Sequence, residues 1–253
     1  MSIVAVFNQK GGVGKTTTTL NLAAAFRQRH EEILTIDLDP QSSLSQACGV
    51  KVTGQESLFG FYKHQHPLAD LVHTLANGAH LIPAHIELSK VDVLFGKGLN
   101  SLTLLRDGLR TNMLDQDTSI LLDCSPMLGI LSLNAIFAAE KVLIPVSADY
   151  LSIQGAQQLE NTLKALEHVL KKRVVRRYVL TRFDVRRPKL SQDVLGRMQD
   201  LFGEEVCQTR IAENTSLTES PAFQKDVFSH APSSQGAKDY LALWDELRGV
   251  DFL

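Results

Sequence analysis

Cysteine is scarce. Three are present in 253 residues, Cys48, Cys124 and Cys207, far apart, with no CxxC pair and no metal-ligand spacing. That excludes a disulfide framework and a cysteine-held metal, and makes a reducing cytosol the expected compartment. No apolar run approaches the ~18 residues of a membrane span. The opening MSIVAVFNQKGG is too short in its apolar part, and lacks a basic leader, to be a signal peptide. Charge of one sign is not in excess. Lys+Arg 26 against Asp+Glu 28 gives a net charge of -2, which excludes a globally basic nucleic-acid binder but leaves room for a local patch. Repeats, low-complexity tracts and linkers are absent too. With 44% hydrophobic and 21% charged residues, a single domain over residues 1–253 is expected rather than a disordered chain.

What is there alternates. Short apolar runs at Ile3–Phe7, Ile33–Asp37, Leu81–Pro83, Ser119–Asp123, Val142–Val146, Tyr178–Thr181 and near Glu205–Ile211 read as strands buried on both faces. Between them, helical spacing runs through Thr16–His30, Leu99–Met113, Leu131–Ala139, Ile153–Leu170, Leu190–Phe202 and Gln235–Leu247. Strand–helix alternation over the whole chain predicts an α/β fold, with a mostly parallel central sheet covered by helices on both faces. Val50–Leu81 has weak periodicity and no clear element. His64 and His66 in that stretch have no third ligand at metal spacing.

The strongest local signal follows the first strand: Asn8-Gln9-Lys10-Gly11-Gly12-Val13-Gly14-Lys15-Thr16-Thr17, then a helix. A triphosphate needs several backbone N–H groups aimed at one point, and glycines at Gly11, Gly12 and Gly14, with Val13 between, let the backbone come that close. The helix adds its N-terminal dipole. Lys15 supplies charge to the β/γ-phosphates, Thr16 a hydroxyl to Mg²⁺, and Thr17 continues the cradle. The usual phosphate-loop pattern has glycine where Gln9 stands, and here an extra lysine, Lys10, opens the loop. Asp37 and Asp39 alternate at a strand's carboxyl end, where carboxylates hold Mg²⁺ water or orient an attacking water. Asp37 is open between Mg²⁺ and structural support. Asp123 ends another apolar strand in the position from which a carboxylate reaches Mg²⁺.

KGGVGKTTT resembles the deviant Walker A box of the ParA/MinD family of phosphate-loop ATPases. TIDLDPQ (Thr35–Gln41), ILLDCSP (Ile120–Pro126), LSLNAI (Leu131–Ile136) and VLIPV continue the likeness, and LTRFDVRR and HAPSSQGAKDY resemble the ParA/Soj partition branch. The motifs run in order over nearly the whole chain, and residues 50–118 match least. The resemblance implies ATP and Mg²⁺ as ligands, Asp39 as the catalytic carboxylate alongside Lys10 and Lys15, and Thr16, Asp39 and Asp123 around the metal. It implies that Lys10 crosses to the partner's ATP in a homodimer formed only with ATP. Asn214 fits the family's adenine contact, although Ala212 stands where the branch has proline. Ser125 likewise replaces the first of two prolines after Asp123.

Lys171, Lys172, Arg173, Arg176, Arg177, Arg182, Arg186, Arg187 and Lys189, opposed in this stretch by Asp184 alone, read as a phosphate-binding patch. No aromatic platform is interleaved, which favours duplex backbone over single strands. Arg186 stands where the family carries a DNA-contacting arginine, Arg187 follows it, and Lys225 is at another position often basic in the branch. Glu213 and Ser216 replace frequent arginines.

The last residues, with Asp245, Glu246 and Asp251 against Arg248, do not resemble the basic membrane helix of MinD-type members. The first strand begins at residue 3, so no helix-turn-helix is expected before it. The expectation is a cytoplasmic, nucleoid-associated ATPase that binds double-stranded DNA without sequence preference. A ParB-like or cargo-adaptor protein would stimulate hydrolysis and release it. Its cargo is a chromosome or plasmid, or alternatively a protein assembly such as a carboxysome or chemoreceptor cluster.

Overall fold

The computed structural model describes residues 2–95, 99–112, 118–186 and 188–253. Eight strands form one sheet: β1 Ile3–Val6, β2 Ile33–Asp37, β3 His73–Thr74, β4 His80–Ile82, β5 Ser119–Asp123, β6 Lys141–Ser147, β7 Val175–Phe183 and β8 Val206–Ala212, in the order β3-β4-β2-β5-β1-β6-β7-β8. Every pairing is parallel except β3 with β4, a short antiparallel edge that the sequence pattern had not shown.

β1 lies between β5 and β6, with β2, β4 and β3 beyond β5 on one side and β7 and β8 beyond β6 on the other, so the chain leaves β1 toward one edge and β6 toward the other. The loop after β1 therefore opens at a topological switch point, where α/β sheets bind their ligands.

The helices are α1 Lys15–Gln28, α2 Ser43–Ala47, α3 Leu58–His64, α4 Val91–Phe95, α5 Leu99–Leu102, α6 Leu104–Asn112, α7 Ile130–Ala138, α8 Tyr150–Leu170, α9 Pro188–Phe202, α10 Thr215–Glu219, α11 Val227–His230 and α12 Gln235–Gly249. Alternate strand residues divide between the two faces. Ala5, Ile36, Leu122 and Ile144 face the core under the helices from α3 to α9, while Val4, Val6, Leu121, Leu143 and Val179 face α1 and α12. This two-residue alternation, apolar on both sides, is why the strands read as continuous hydrophobic runs.

Two expectations change. The helix expected over Leu99–Met113 is broken into α5 and α6 at Thr103, and Met113 lies outside the described residues. The cause is Asn134 on α7. Its Oδ1 accepts from Leu105 N–H (3.0 Å) and its Nδ2 donates to Ser101 C=O (2.7 Å), so one side chain takes both ends of what would be an i→i+4 helical bond. The unassigned Val50–Leu81 stretch contains α3, capped by the Ser57 hydroxyl on Phe59 N–H (3.2 Å), together with β3 and most of β4.

At the far end, Tyr240, Leu243, Trp244 and Leu247 commit the apolar face of α12 to the core, and Phe252 and Leu253 are buried beyond it. The face that an interfacial helix would present to lipid is thus already used. Among the described residues no helix is long and apolar enough to cross a membrane.

Candidate active site

The phosphate loop is held from behind. Asn8 Nδ2 donates to Pro145 C=O (2.8 Å) in β6, and Thr181 Oγ1 at the end of β7 donates to Val13 C=O (2.8 Å). Gly12 (φ 74°) and Gly14 (φ 91°) occupy the left-handed region, and Gly14 is the residue from which α1 starts without any side-chain cap. The first helical bond runs from Thr18 N–H to Gly14 C=O (2.8 Å). The N–H groups before it are left to a ligand, as at any helix start. Gly11 has ordinary backbone geometry, yet a Cβ there would meet nothing within 4 Å. Its lack of a side chain therefore serves what comes into the cleft rather than the fold.

Lys15 is buried, 7% exposed, and its ammonium donates to Lys10 C=O (3.0 Å) across the loop. Desolvation lowers its pKa, opposed by the nearby charges of Asp123, Cys124 and Asp39. A desolvated ammonium under a ring of N–H groups is a site for a polyanion. Thr16 Oγ1 donates to Asp123 Oδ2 (2.8 Å) and Thr19 Oγ1 to Asp123 Oδ1 (3.1 Å). Asp123 is fully buried, and burial followed by the charge of Asp37 pushes its carboxyl up. A hydroxyl and a carboxylate together at the foot of a phosphate cradle fit Mg²⁺, which takes few protein oxygens and completes its shell with phosphate and water. When bound, the ion polarises the phosphate oxygens and offsets their charge.

The two carboxylates of TIDLDP separate. Asp37 is fully buried and raised by burial, with Ser45 Oγ (2.7 Å), Ser45 N (2.9 Å) and Asp39 N (3.1 Å) donating to it. Of the two readings open for Asp37, this geometry fits structural support: it pins the start of α2 to the end of β2. Asp39 is half-buried on the wall of a cleft of about 410 Å³ shared with Gly11, Gly12, Lys15, Thr16 and Pro126. One of its oxygens accepts from Gln41 N–H (2.9 Å).

Lys10 points away from this cradle. Its ammonium donates to Asp149 Oδ1 (2.8 Å) and Ser152 Oγ (2.7 Å) at the start of α8. Burial alone would raise the Asp149 carboxyl. Hydrogen bonds from Lys10, Ser147 and Ser152 outweigh it and hold the group well below the usual carboxylate range. Asp149 is also the α8 N-cap, accepting from Ser152 N–H (2.9 Å). The Asp-Tyr-Leu-Ser spacing is a readable cap signature, but its pairing with a lysine 139 positions earlier is not.

Asn214 stands in a second cleft, about 390 Å³, with Gly12, Gly14, Thr17, Arg182, Glu213, Thr218 and Pro221. Its Oδ1 caps α10 by accepting from Ser216 N–H (3.0 Å), which leaves the amide N–H groups for a ligand.

The basic stretch does not form one patch, and Asp184 is not its only opponent. Arg176 is buried, 3% exposed, among Glu160 (3.2 Å), Glu167 (2.9 Å) and Glu205 (3.8 Å). Arg173 pairs with Glu205 (2.5 Å) and Arg182 with Glu213 (3.3 Å). Lys171–Arg177 lie toward the amino end of β7, and Arg182, Arg186 and Lys189 toward or beyond its carboxyl end; Arg177 and Arg182, the nearest members, are five residues apart, roughly 17 Å at ~3.3 Å per residue. Arg186 is 79% exposed and paired with Asp184 (2.9 Å), Lys225 is exposed in the turn beyond Pro221, and Arg187 lies outside the described residues.

A parallel sheet with a glycine loop at its switch point, a buried lysine and a threonine–carboxylate pair defines a phosphate-loop nucleotide hydrolase. The sequence model of an AAA domain matches residues 1–175. The chain is 37% identical over 244 residues to the chromosome-partitioning ATPase Soj of Thermus thermophilus, covering 96% of this chain and 94% of that one. Among solved structures it is similar to cobyrinic acid a,c-diamide synthase of Mycobacterium smegmatis with bound ADP and magnesium (27% identity, TM-score 0.79, 96% and 92% of the two chains). It also shares its fold with apo McdA of Cyanothece (22%, TM-score 0.88, 98% and 99%). The chain belongs to the ParA/MinD family of ATPases, and ATP and magnesium are its ligands.

Proposed function

We propose that the protein partitions chromosome or plasmid DNA through an ATP-driven cycle. Two subunits close on ATP with Lys10 of each reaching the other's nucleotide. The dimer then holds duplex DNA without sequence preference, and a ParB-like partner stimulates hydrolysis to release it. The observation that carries this reading is the position of Lys10. It stands beside Gly11 yet turns its ammonium outward to Asp149, while Lys15 alone serves its own cradle. A second lysine is redundant in the monomer. In a dimer whose contact includes a γ-phosphate, it makes association depend on the nucleotide.

In hydrolysis, Lys15 and the loop N–H groups bind the β- and γ-phosphates and neutralise charge as the terminal P–O bond breaks. Thr16 and Asp123 would hold the magnesium ion, which would offset charge on the phosphates. Asp39, on the open wall, orients water for in-line attack. Arg186, Arg187 and Lys225 are the proposed DNA contacts, and the nucleoid follows as the site of action. They track phosphates, so affinity falls steeply with salt and ignores sequence.

The test is fluorescence anisotropy on two unrelated duplexes at two salt concentrations, with ATP and with ADP. Binding that is equal for both duplexes, requires ATP, and weakens alike in Arg186→Ala and further in Arg186→Ala/Arg187→Ala is the expected result. Wild-type protein that ignores DNA in the presence of ATP would leave a switch acting on proteins alone.

A further inference from the structure

Arg182 has a backbone conformation its neighbours do not share. It lies inside β7 with φ 53°, in the left-handed region that a long L side chain rarely occupies. The pairing of β7 with β8 slips at the same place. Leu180 faces Arg210 and Phe183 faces Ala212, so β7 takes three steps where β8 takes two. A bulge of this kind re-aims a side chain, and strain of this kind persists where the surroundings enforce it. Here they do, because Thr181 just before it bonds the phosphate loop at Val13, and Glu213 N–H donates to Phe183 C=O (3.0 Å) just after it.

The bulge turns Arg182 into the cleft that runs from Gly12 and Gly14 to Asn214. There its Nη2 meets Glu213 Oε1 at 3.3 Å, with both side chains open to solvent at 60% and 47%. An ion pair this exposed contributes little to folding, so stability does not account for a strained arginine. The cleft leads away from the phosphate cradle and is where the nucleoside end of ATP fits. It offers a base no aromatic face. Tyr240 on its wall is 1% exposed, with its hydroxyl bonded to Thr18 (3.2 Å). The planar side-chain groups left are the guanidinium of Arg182, the amide of Asn214 and the carboxylate of Glu213, whose negative charge suits the guanidinium and not the electron-rich face of a base. A guanidinium stacks on an aromatic ring through both its plane and its charge. Paired with Glu213, it is also held back from the triphosphate, which would otherwise draw it.

We propose that Arg182 is a base-contacting residue of the ATP site. Its guanidinium plane forms the face against which the nucleobase packs, and Glu213 is the positioning residue that holds that plane. The proposal rests on the cleft being the nucleoside side of the ATP site.

Isothermal titration calorimetry on the full chain with Mg²⁺ tests it, using ATP, ADP and inorganic tripolyphosphate as ligands. Arg182→Ala is expected to weaken ATP and ADP equally, about 3- to 30-fold, and to leave tripolyphosphate unchanged. Arg182→Lys, which keeps the charge and the chain length but not the plane, is expected not to restore affinity. Glu213→Ala should give a smaller loss, and the double variant no more loss than Arg182→Ala alone, because Glu213 acts through Arg182. An equal loss for tripolyphosphate, rescue by Arg182→Lys, or unchanged ATP affinity in Arg182→Ala with an unshifted thermal midpoint would each overturn the proposal. Wild-type protein that binds no ATP would instead remove the ATP site itself, and this proposal with it.

Discussion

If Lys10 must leave Asp149 before it can reach a second subunit, weakening its present hold should favour the dimer. Asp149→Asn is the perturbation of choice. Asparagine keeps an oxygen for the α8 N-cap, where Asn and Asp are equivalent, and removes the charge that Lys10 faces. The pair is close (2.8 Å) but its side chains are 32% and 45% exposed, so solvent screening limits it to ~0.5–1 kcal/mol. A dimer releases two lysines, which doubles the effect to ~1–2 kcal/mol, or roughly a 5- to 30-fold tighter ATP-dependent dimer. Sedimentation velocity across a concentration series measures this, in an Asp39→Ala background so that ATP persists. The Asp149 carboxyl is depressed in the fold. Its contribution is therefore complete above the ordinary carboxylate pKa near ~4 and is lost only as the pH falls through a still lower value. Dimer affinity should accordingly show no Asp149-dependent change between pH 5.5 and about 8. An Asp149→Asn protein that folds normally and dimerises no more tightly than its parent would refute the idea that Asp149 competes for Lys10.

Other substitutions separate binding, catalysis and support. Gly11→Ala should shift unfolding by less than ~0.5 kcal/mol, since its Cβ meets no protein atom, yet calorimetry should show ATP affinity reduced tenfold or more; normal ATP binding would mean the phosphates lie elsewhere. Asp39→Ala should bind ATP within a few-fold of wild type and hydrolyse it at least ~100-fold more slowly in a phosphate-release assay; an unchanged rate would take Asp39 out of catalysis. Asp37→Ala strands Ser45 N–H, the Ser45 hydroxyl and Asp39 N–H, and should cost ~2–4 kcal/mol in denaturant unfolding; a loss below ~1 kcal/mol would argue against the supporting role.

Much of the cradle was legible because its chemistry is local. Residues 10–17 carry the loop, the lysines and the helix start in one stretch, and the strands before and after it are apolar on both faces, so periodicity and motif agree. Asp123 was legible for the same reason, as the last residue of an apolar strand. The limit came where a partner lies far along the chain. Thr19 on Asp123, Thr181 on Val13 and Asp149 on Lys10 are separated by 104, 168 and 139 positions, and nothing in a local window marks them. The same reason explains the helix expected over Leu99–Met113. Its spacing is helical throughout, and only a side chain from α7, Asn134, diverts the bond that would have made it continuous.

Charge was the feature that a linear reading distorted most. Counted along the chain, nine cations between Lys171 and Lys189 face one carboxylate. Folded, β7 sends the two halves of that run to opposite ends of the sheet, and each half meets acids supplied by other elements. Glu160 and Glu167 come from α8, Glu205 from the turn before β8, and Glu213 from the segment beyond it. The half at the amino end of β7 is therefore a packing device that ties α8 and the β8 edge to the sheet through a buried Arg176. The half at the carboxyl end shares its end of the sheet with the clefts around the phosphate loop. Thr181 bonds the phosphate loop, Arg182 lines the cleft that holds Asn214, and Arg186 follows four residues later, 79% exposed. Even that arginine is engaged by Asp184, so under the proposed DNA binding a phosphate would have to displace a carboxylate to reach it. Each such contact is weak in a single subunit. In the proposed dimer, two copies on one duplex would multiply the effective concentration of the second contact without strengthening either one, and contacts this weak would make the proposed DNA binding depend on whether the dimer has formed.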